Sequence, residues 1–148
     1  MSPLAVKLIK TFEGFSPVVY NCGGGYSTIG YGHRLWKQED RVGPLTEDVA
    51  ASLLLKDLTL VEGYLEQLVR IPLKETQEAA LLSFMFNVGP AAFERSTLRL
   101  KVNREEHHDI PFELMRWIFA GGRRSRGLER RRFVEGKLYE TGRWVMPT

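Results

Sequence analysis

Residues 12–33, FEGFSPVVYNCGGGYSTIGYGH, constrain the fold of this chain more than any other stretch. They cannot form one element. The first two positions close an amphipathic helix over 2–13, in which Leu4, Leu8 and Phe12 recur every four residues. Ser2 is placed to cap that helix and Pro3 suits its first turn. Gly14 stops it. From 15 to 35, Tyr, Val and Ile alternate with glycine clusters, the pattern of twisted strands joined by tight turns. Gly23-Gly24-Gly25 is the expected turn. A helix therefore runs directly into a small, hairpin-rich lobe.

The rest of the chain reads as helices. Over 46–70, Thr46 is a good cap, and Glu47 and Asp48 sit favourably in the first turn. Val49, Leu53, Leu54, Leu58, Val61, Leu65, Leu68 and Val69 give that helix one broad apolar face. It is long enough to join two lobes, and Pro72 ends the segment. Residues 75–88, ETQEAALLSFMFNV, turn apolar on nearly all sides, as a buried central helix does. Gly89-Pro90 breaks it. Shorter helices are expected at 96–103 and 110–120, and a last one at about 127–141 before Gly142. With 43% apolar residues the chain can bury a sizeable core. The expected fold is α+β and mostly α: a small N-terminal lobe with a β-hairpin and a helical C-terminal lobe, joined by a long helix. We expect a single domain over 1–148, with lobes at about 12–60 and 70–148 and the N-terminal helix packed on the second.

Several classes are excluded by residue counts. One cysteine rules out an intrachain disulfide framework and a zinc ribbon, and three histidines are a poor basis for a metal site. No stretch approaches the 18 or so apolar residues of a membrane span. The start, MSPLAVKLIKTF, lacks the long apolar core and small-residue cleavage site of a signal peptide. Either the protein leaves the cytoplasm by another route or a leader precedes this sequence. A net charge of +3 admits a polyanionic partner without requiring one.

Chemistry concentrates at Glu13, Cys22 and Thr28, spaced nine and six residues apart. At a helix C-terminus, between Phe12 and Phe15, a carboxyl group meets the negative end of the dipole and partial desolvation. Both favour the protonated form that a general acid requires. A small nucleophilic or water-holding side chain and a hydroxyl follow in the hairpin. Cleaving a glycosidic bond needs a proton donor on one side of the bond and a group handling charge or water on the other. Taken singly, each residue has a plainer reading: a solvated Glu at a helix end, a buried or incidental thiol, a Thr in a strand.

The full string EG…Y-x-C…TIGYGH resembles the phage lysozyme (endolysin) family of glycoside hydrolases, whose motif is E-x8-[D/C]-x5-T followed by IGYGH. The resemblance continues through SFMFNVGPAAFERSTLRLK, RWIFAGGRRSRGLERRR and YETGRW, and so covers nearly the whole chain. It implies a lysozyme-like fold. It implies a muramidase that hydrolyses the β-1,4 bond between N-acetylmuramic acid and N-acetylglucosamine. In that role Glu13 protonates the leaving oxygen, and Thr28 holds the attacking water. Cys22 stands at the second catalytic position, where many members carry Asp. An ordinary thiol, with a pKa of about 8.5, is mostly uncharged at neutral pH. Cys22 is therefore either a positioner of water or a nucleophile, and inversion or retention at the anomeric carbon stays open with it.

The same match places Arg34, Phe86 and Ser96 along the saccharide cleft, and gives His33 a structural role, paired with an acidic group. It implies no metal or organic cofactor. The expected partner is peptidoglycan, the expected state a monomer, and the setting phage or prophage lysis. Made in the host cytoplasm, the enzyme acts in the periplasm or cell wall, and without an export signal it depends on a holin to get there. Two other classes remain: a lytic transglycosylase, against which Thr28 argues, and a peptidoglycan-binding scaffold without turnover, which Cys22 admits.

Between 123 and 132, GGRRSRGLERRR holds six Arg against one Glu. Clustered Arg neutralises phosphates, but no aromatic platform or binding module accompanies it, so nucleic acid is not expected. The run reads as a solvated basic face suited to anionic wall or lipid.

Overall fold

The computed structural model describes residues 2–21, 27–35 and 44–147. Cys22 and the Gly23-Gly24-Gly25 turn lie outside the described residues.

Helix α1 spans Pro3–Glu13. The Ser2 hydroxyl accepts the Ala5 N–H at 3.1 Å, and Gly14, at φ +68°, closes the helix by donating to the Lys10 carbonyl at 3.0 Å. Three short strands follow, β1 (Ser16–Asn21), β2 (Ser27–Gly30) and β3 (His33–Arg34), paired antiparallel in the order β1-β2-β3. The register aligns Tyr20 with Thr28 and Thr28 with Arg34, with an irregularity between Ser16 and Tyr20.

Helix α2 spans Glu47–Leu68, capped by the Thr46 hydroxyl, and buries Ala50, Leu54, Leu58, Val61 and Leu65. Val49, assigned to that face by the sequence pattern, is exposed instead. Past Leu68 the backbone turns extended at Val69. The carbonyl of Leu68 accepts from Arg99 Nε and Asn103 Nδ2, each at 2.9 Å. This side-chain cap satisfies a helix end that carries no glycine.

Helix α3 (Glu75–Val88) is the axis of the molecule, with every residue from Ala79 to Met85 buried. Helices α1 and α2 pack on it. Gly89, at φ +92°, ends α3, and Pro90 does more than break the helix: it opens α4 (Pro90–Glu94) at its first position. Then come α5 (Thr97–Asn103), a 3-10 turn at His107–Asp109 and α6 (Ile110–Leu114). The helix expected over 110–120 is thus cut short. A two-stranded ribbon replaces its second half, β4 (Phe119–Ala120) against β5 (Arg123–Arg124). Gly121 and Gly122, at φ +58° and +78°, supply the left-handed pair that a tight two-residue hairpin demands. Helix α7 (Arg126–Thr141) closes the fold against α3 and α6. Among the described residues, no helix is long and apolar enough to cross a membrane.

Candidate active site

Glu13 is the last residue of α1, and its carboxylate opens into a cleft of about 340 Å³. The cleft is lined by Tyr20, Thr28, Gly32 and Arg34 on the sheet side, Phe86 and Asn87 from the end of α3, and Ala120, Gly121 and Leu128 opposite. The strand register explains the sheet wall. Tyr20, Thr28 and Arg34 are direct cross-strand partners, so they form one row across the three strands. Thr28 is nearly buried in that row, whereas Arg34 is exposed.

The IGYGH segment holds this wall against Glu13. A Cβ on Gly32, at φ +74°, would lie 2.9 Å from Glu13 Oε2, so only glycine lets the loop come this close. Tyr31 donates its hydroxyl to Glu47 Oε1 at 2.9 Å, tying the loop to the start of α2. Burial, then the bond to Glu47, pushes the Tyr31 phenol above its ordinary pKa. His33 Nδ1 meets Asp57 Oδ2 at 2.8 Å, fastening β3 to the middle of α2.

Behind Glu13 lies a set of charges that the sequence pattern did not disclose. Arg131 Nη1 donates to Glu13 Oε1 at 2.7 Å. The same guanidinium donates through Nη2 to the Ser83 carbonyl at 3.0 Å and through Nε to Glu135 Oε2 at 3.3 Å. Ser83 Oγ donates to Glu135 Oε2 at 2.6 Å. Arg132 Nη1 donates to Glu135 Oε1 at 2.5 Å, Nε to the Trp117 carbonyl at 3.0 Å, and Nη2 to Asn87 Oδ1. Burial pushes the Arg132 pKa below its ordinary value, and Glu135 opposes that shift. Glu135 is thus the buried carboxylate shared by two buried guanidiniums, and Arg131 extends the set to the cleft carboxyl of Glu13; such pairing is how buried charge is tolerated.

Half of this reverses the reading of GGRRSRGLERRR as a solvated face. Arg131 and Arg132 are buried, and Arg124 forms a two-pronged pair with Glu129 at 2.7 and 2.9 Å. Arg123, Arg126 and Arg130 remain exposed. A signal was present: Arg131 and Glu135 stand four residues apart on the stripe that carries Val134 and Leu138, the buried face of α7.

Of the residues singled out in the sequence, Glu13, Thr28, Arg34 and Phe86 meet at one cleft. Cys22 lies outside the described residues. Ser96 is elsewhere: it caps α5, its hydroxyl accepting from Arg99 N and donating to the Phe93 carbonyl, and it lines a separate hollow with Arg95, Glu113 and Trp117. Tyr20 and Asn87 join the cleft without having been singled out. Another hollow, of about 240 Å³ between α2 and α3, is lined by Glu62, Glu66 and Glu78 and shares no residue with this cleft.

The phage lysozyme family pattern matches residues 10–135, which include the end of α1, the sheet, the cleft and most of α7. The chain belongs to the phage lysozyme family. It is a glycoside hydrolase, of the endolysin type that acts on peptidoglycan. The endolysin of Acyrthosiphon pisum secondary endosymbiont phage 1 is 34% identical over 146 residues, covering 95% of this chain and 98% of that protein. The SAR-endolysin of Escherichia phage Mu is 40% identical over 88 residues, which span 60% of this chain and 52% of that protein. The solved endolysin from Escherichia coli O157:H7 phage FAHEc1 superposes with a TM-score of 0.85 at 26% identity, covering 99% of this chain and 96% of that one. The mostly helical α+β lysozyme-like fold, with its small N-terminal antiparallel sheet, is the one expected from the sequence.

Proposed function

We propose that this phage lysozyme cleaves the β-1,4 bond between N-acetylmuramic acid and N-acetylglucosamine, with Glu13 as general acid. The observation that carries the reading is the meeting of Glu13 and Thr28 at one cleft, with Arg131 holding the Glu13 carboxyl in place. Glu13 gives its proton to the glycosidic oxygen as the C–O bond breaks. A water on the opposite sugar face, oriented by the Thr28 hydroxyl, adds to the anomeric carbon. A hydroxyl suits this task because it both donates and accepts without changing charge. Water keeps one proton in the new anomeric hydroxyl and gives the other to solvent, or to Cys22 when its thiol is ionised. Cys22 takes that position, nine residues past Glu13, and shares the handling of water there. Arg34 and Phe86 contact the saccharide. Ser96 supports the C-terminal lobe rather than the sugar.

The substrate in life is host peptidoglycan during phage-mediated lysis, cut by one domain whose two lobes form the two sides of the cleft. We expect a monomer. For export, a holin route and a holin-independent one, favoured by the relatives named SAR-endolysins, differ in one observable. Lysis of cells expressing this chain without a holin marks the second.

Glu13→Gln is the test. It keeps shape and burial but removes the transferable proton. We expect an intact fold and loss of wall lysis by at least about a hundredfold, the lower end of what a general acid contributes. Lysis at a near wild-type rate removes the assignment. Product masses settle the reaction type, because a transglycosylase leaves an anhydro sugar one water lighter than the hydrolysis product.

A further inference from the structure

We propose that Glu135 is a positioning residue for this reaction, setting two walls of the cleft at once through Arg131 and Arg132. The inference rests on the reading of Glu13 as the acid. Glu135 is fully buried and touches no cleft surface, yet each of its oxygens is committed to a different arginine. Through Oε2 it holds the Nε edge of Arg131, whose opposite edge reaches Glu13. A guanidinium is planar, so fixing Nε against Glu135 and Nη2 against the Ser83 carbonyl leaves Nη1 no choice of direction. Through Oε1 it holds Arg132, whose Nη2 takes up the Oδ1 of the cleft residue Asn87. That bond leaves the Asn87 amide NH2 as the group available to the cleft. Glu13 at the end of α1 and Asn87 at the end of α3 are thereby aligned by one carboxylate on α7.

Stability is a poor reason for such an arrangement. Well-packed apolar side chains of similar volume commonly match or exceed a buried ion network in stability. Precise placement of an acid is a better one, since displacement of a catalytic group by about 1 Å costs on the order of a hundredfold in rate. The aromatic supports fit the same purpose: the Arg132 guanidinium lies 4.8 Å from the Phe84 ring centroid, and that of Arg131 lies 5.7 Å from Phe12.

Glu135→Gln alone leaves two guanidiniums facing a neutral amide and lowers stability, so it is compared with the charge-balanced double variant Glu135→Gln/Arg132→Met, which retains the Arg131–Glu13 pair. Thermal unfolding and steady-state kinetics on a soluble peptidoglycan oligosaccharide are measured for both. We expect the double variant to regain most of the lost stability while its kcat stays roughly 10- to 100-fold down, with KM rising far less. Recovery of kcat together with stability overturns the inference and makes Glu135 a structural counter-ion. If the double variant does not fold, Ser83→Ala, which removes the hydroxyl that donates to Glu135 Oε2 and accepts from Arg131 Nε at 3.3 Å, is expected to lower kcat several-fold at unchanged KM. Wild-type kcat in that variant overturns the inference equally. Glu13→Gln, assayed alongside, keeps the two readings apart: an active Glu13→Gln defeats the acid assignment itself, whereas an inactive one with a fully active Glu135 double variant defeats only this inference.

Discussion

A side chain grown on Gly32 would begin 2.9 Å from Oε2 of Glu13. The loop after β2 and the end of α1 are therefore in contact at a place where Gly32 cannot carry a side chain without displacing Glu13.

Gly32→Ala should hurt in two separable ways. A non-glycine residue at φ +74° costs about 1–2 kcal/mol, and the new methyl displaces the Glu13 carboxyl. Gly142, also at φ +74°, has only Thr76 nearby, at 3.7 Å. Gly142→Ala should lose similar stability in urea and retain its turnover. Equal turnover in both variants would show that the contact with Glu13 is unimportant.

The His33–Asp57 pair joins β3 to α2 across a largely buried gap. Asp57→Asn should lower stability by roughly 1.5–3 kcal/mol, the range for a hydrogen bond involving a charged group. A double-mutant cycle with His33→Gln measures the coupling directly. A coupling near zero would mean that the sheet is held by Tyr31 and backbone contacts alone.

Tyr139 is buried beneath the 3-10 turn and shares a 2.7 Å hydrogen bond with His107 Nδ1. Burial pushes its phenol up to about 12, from an ordinary value of 10.0. The folded state thus keeps a proton that the unfolded chain gives up near pH 10. Its contribution to stability is complete below pH 10 and is lost as pH rises from there to about 12. Ultraviolet titration of the folded protein should show a tyrosine ionising near pH 12, and Tyr139→Phe should remove that component together with its part of the alkaline destabilisation.

Cys22→Asp should retain or raise activity if the thiol only positions water, since a carboxylate does this and adds charge. Cys22→Ala should lose much of it, and iodoacetamide should inactivate the wild type by filling the cleft. Full activity in Cys22→Ala, with a thiol closed to reagent, would leave the chemistry to Glu13 and Thr28.

The exposed arginines make a different prediction from the buried ones. Arg123→Gln/Arg126→Gln should weaken adsorption to intact walls, most of all at low salt, because exposed charge is screened over roughly 8–10 Å under physiological conditions. Turnover of a soluble oligosaccharide should change less than twofold. A large loss of that turnover would move these side chains into the cleft.

Where local pattern determines structure, the sequence was a good guide. Caps at Ser2 and Thr46, the stop at Gly14 and the all-round apolar run of α3 each act within a few residues, and each is found in the fold. The ribbon at 119–124 was hidden because its strands are two residues long, too short to show alternation, and only the paired glycines announced it. Asn87 was hidden as the polar end of an apolar helix. Arg131, Arg132 and Glu135 looked like surface because single charges usually are; only their spacing along α7 separates them from Arg123 and Arg126. Glu13 was visible as an acid, but its cation was not, since the two are 118 residues apart in sequence.

That separation has a consequence for the cell that makes the enzyme. A ribosome emits Glu13 and the sheet early, but Arg131, Arg132 and Glu135 come from the last helix. An incomplete chain stopped before α7 carries Glu13 without its Arg131 partner, and leaves one face of α3 uncovered. With Glu13 as the proposed acid, lytic competence requires a chain that includes α7, and a product stopped before Arg126 is expected to lack it.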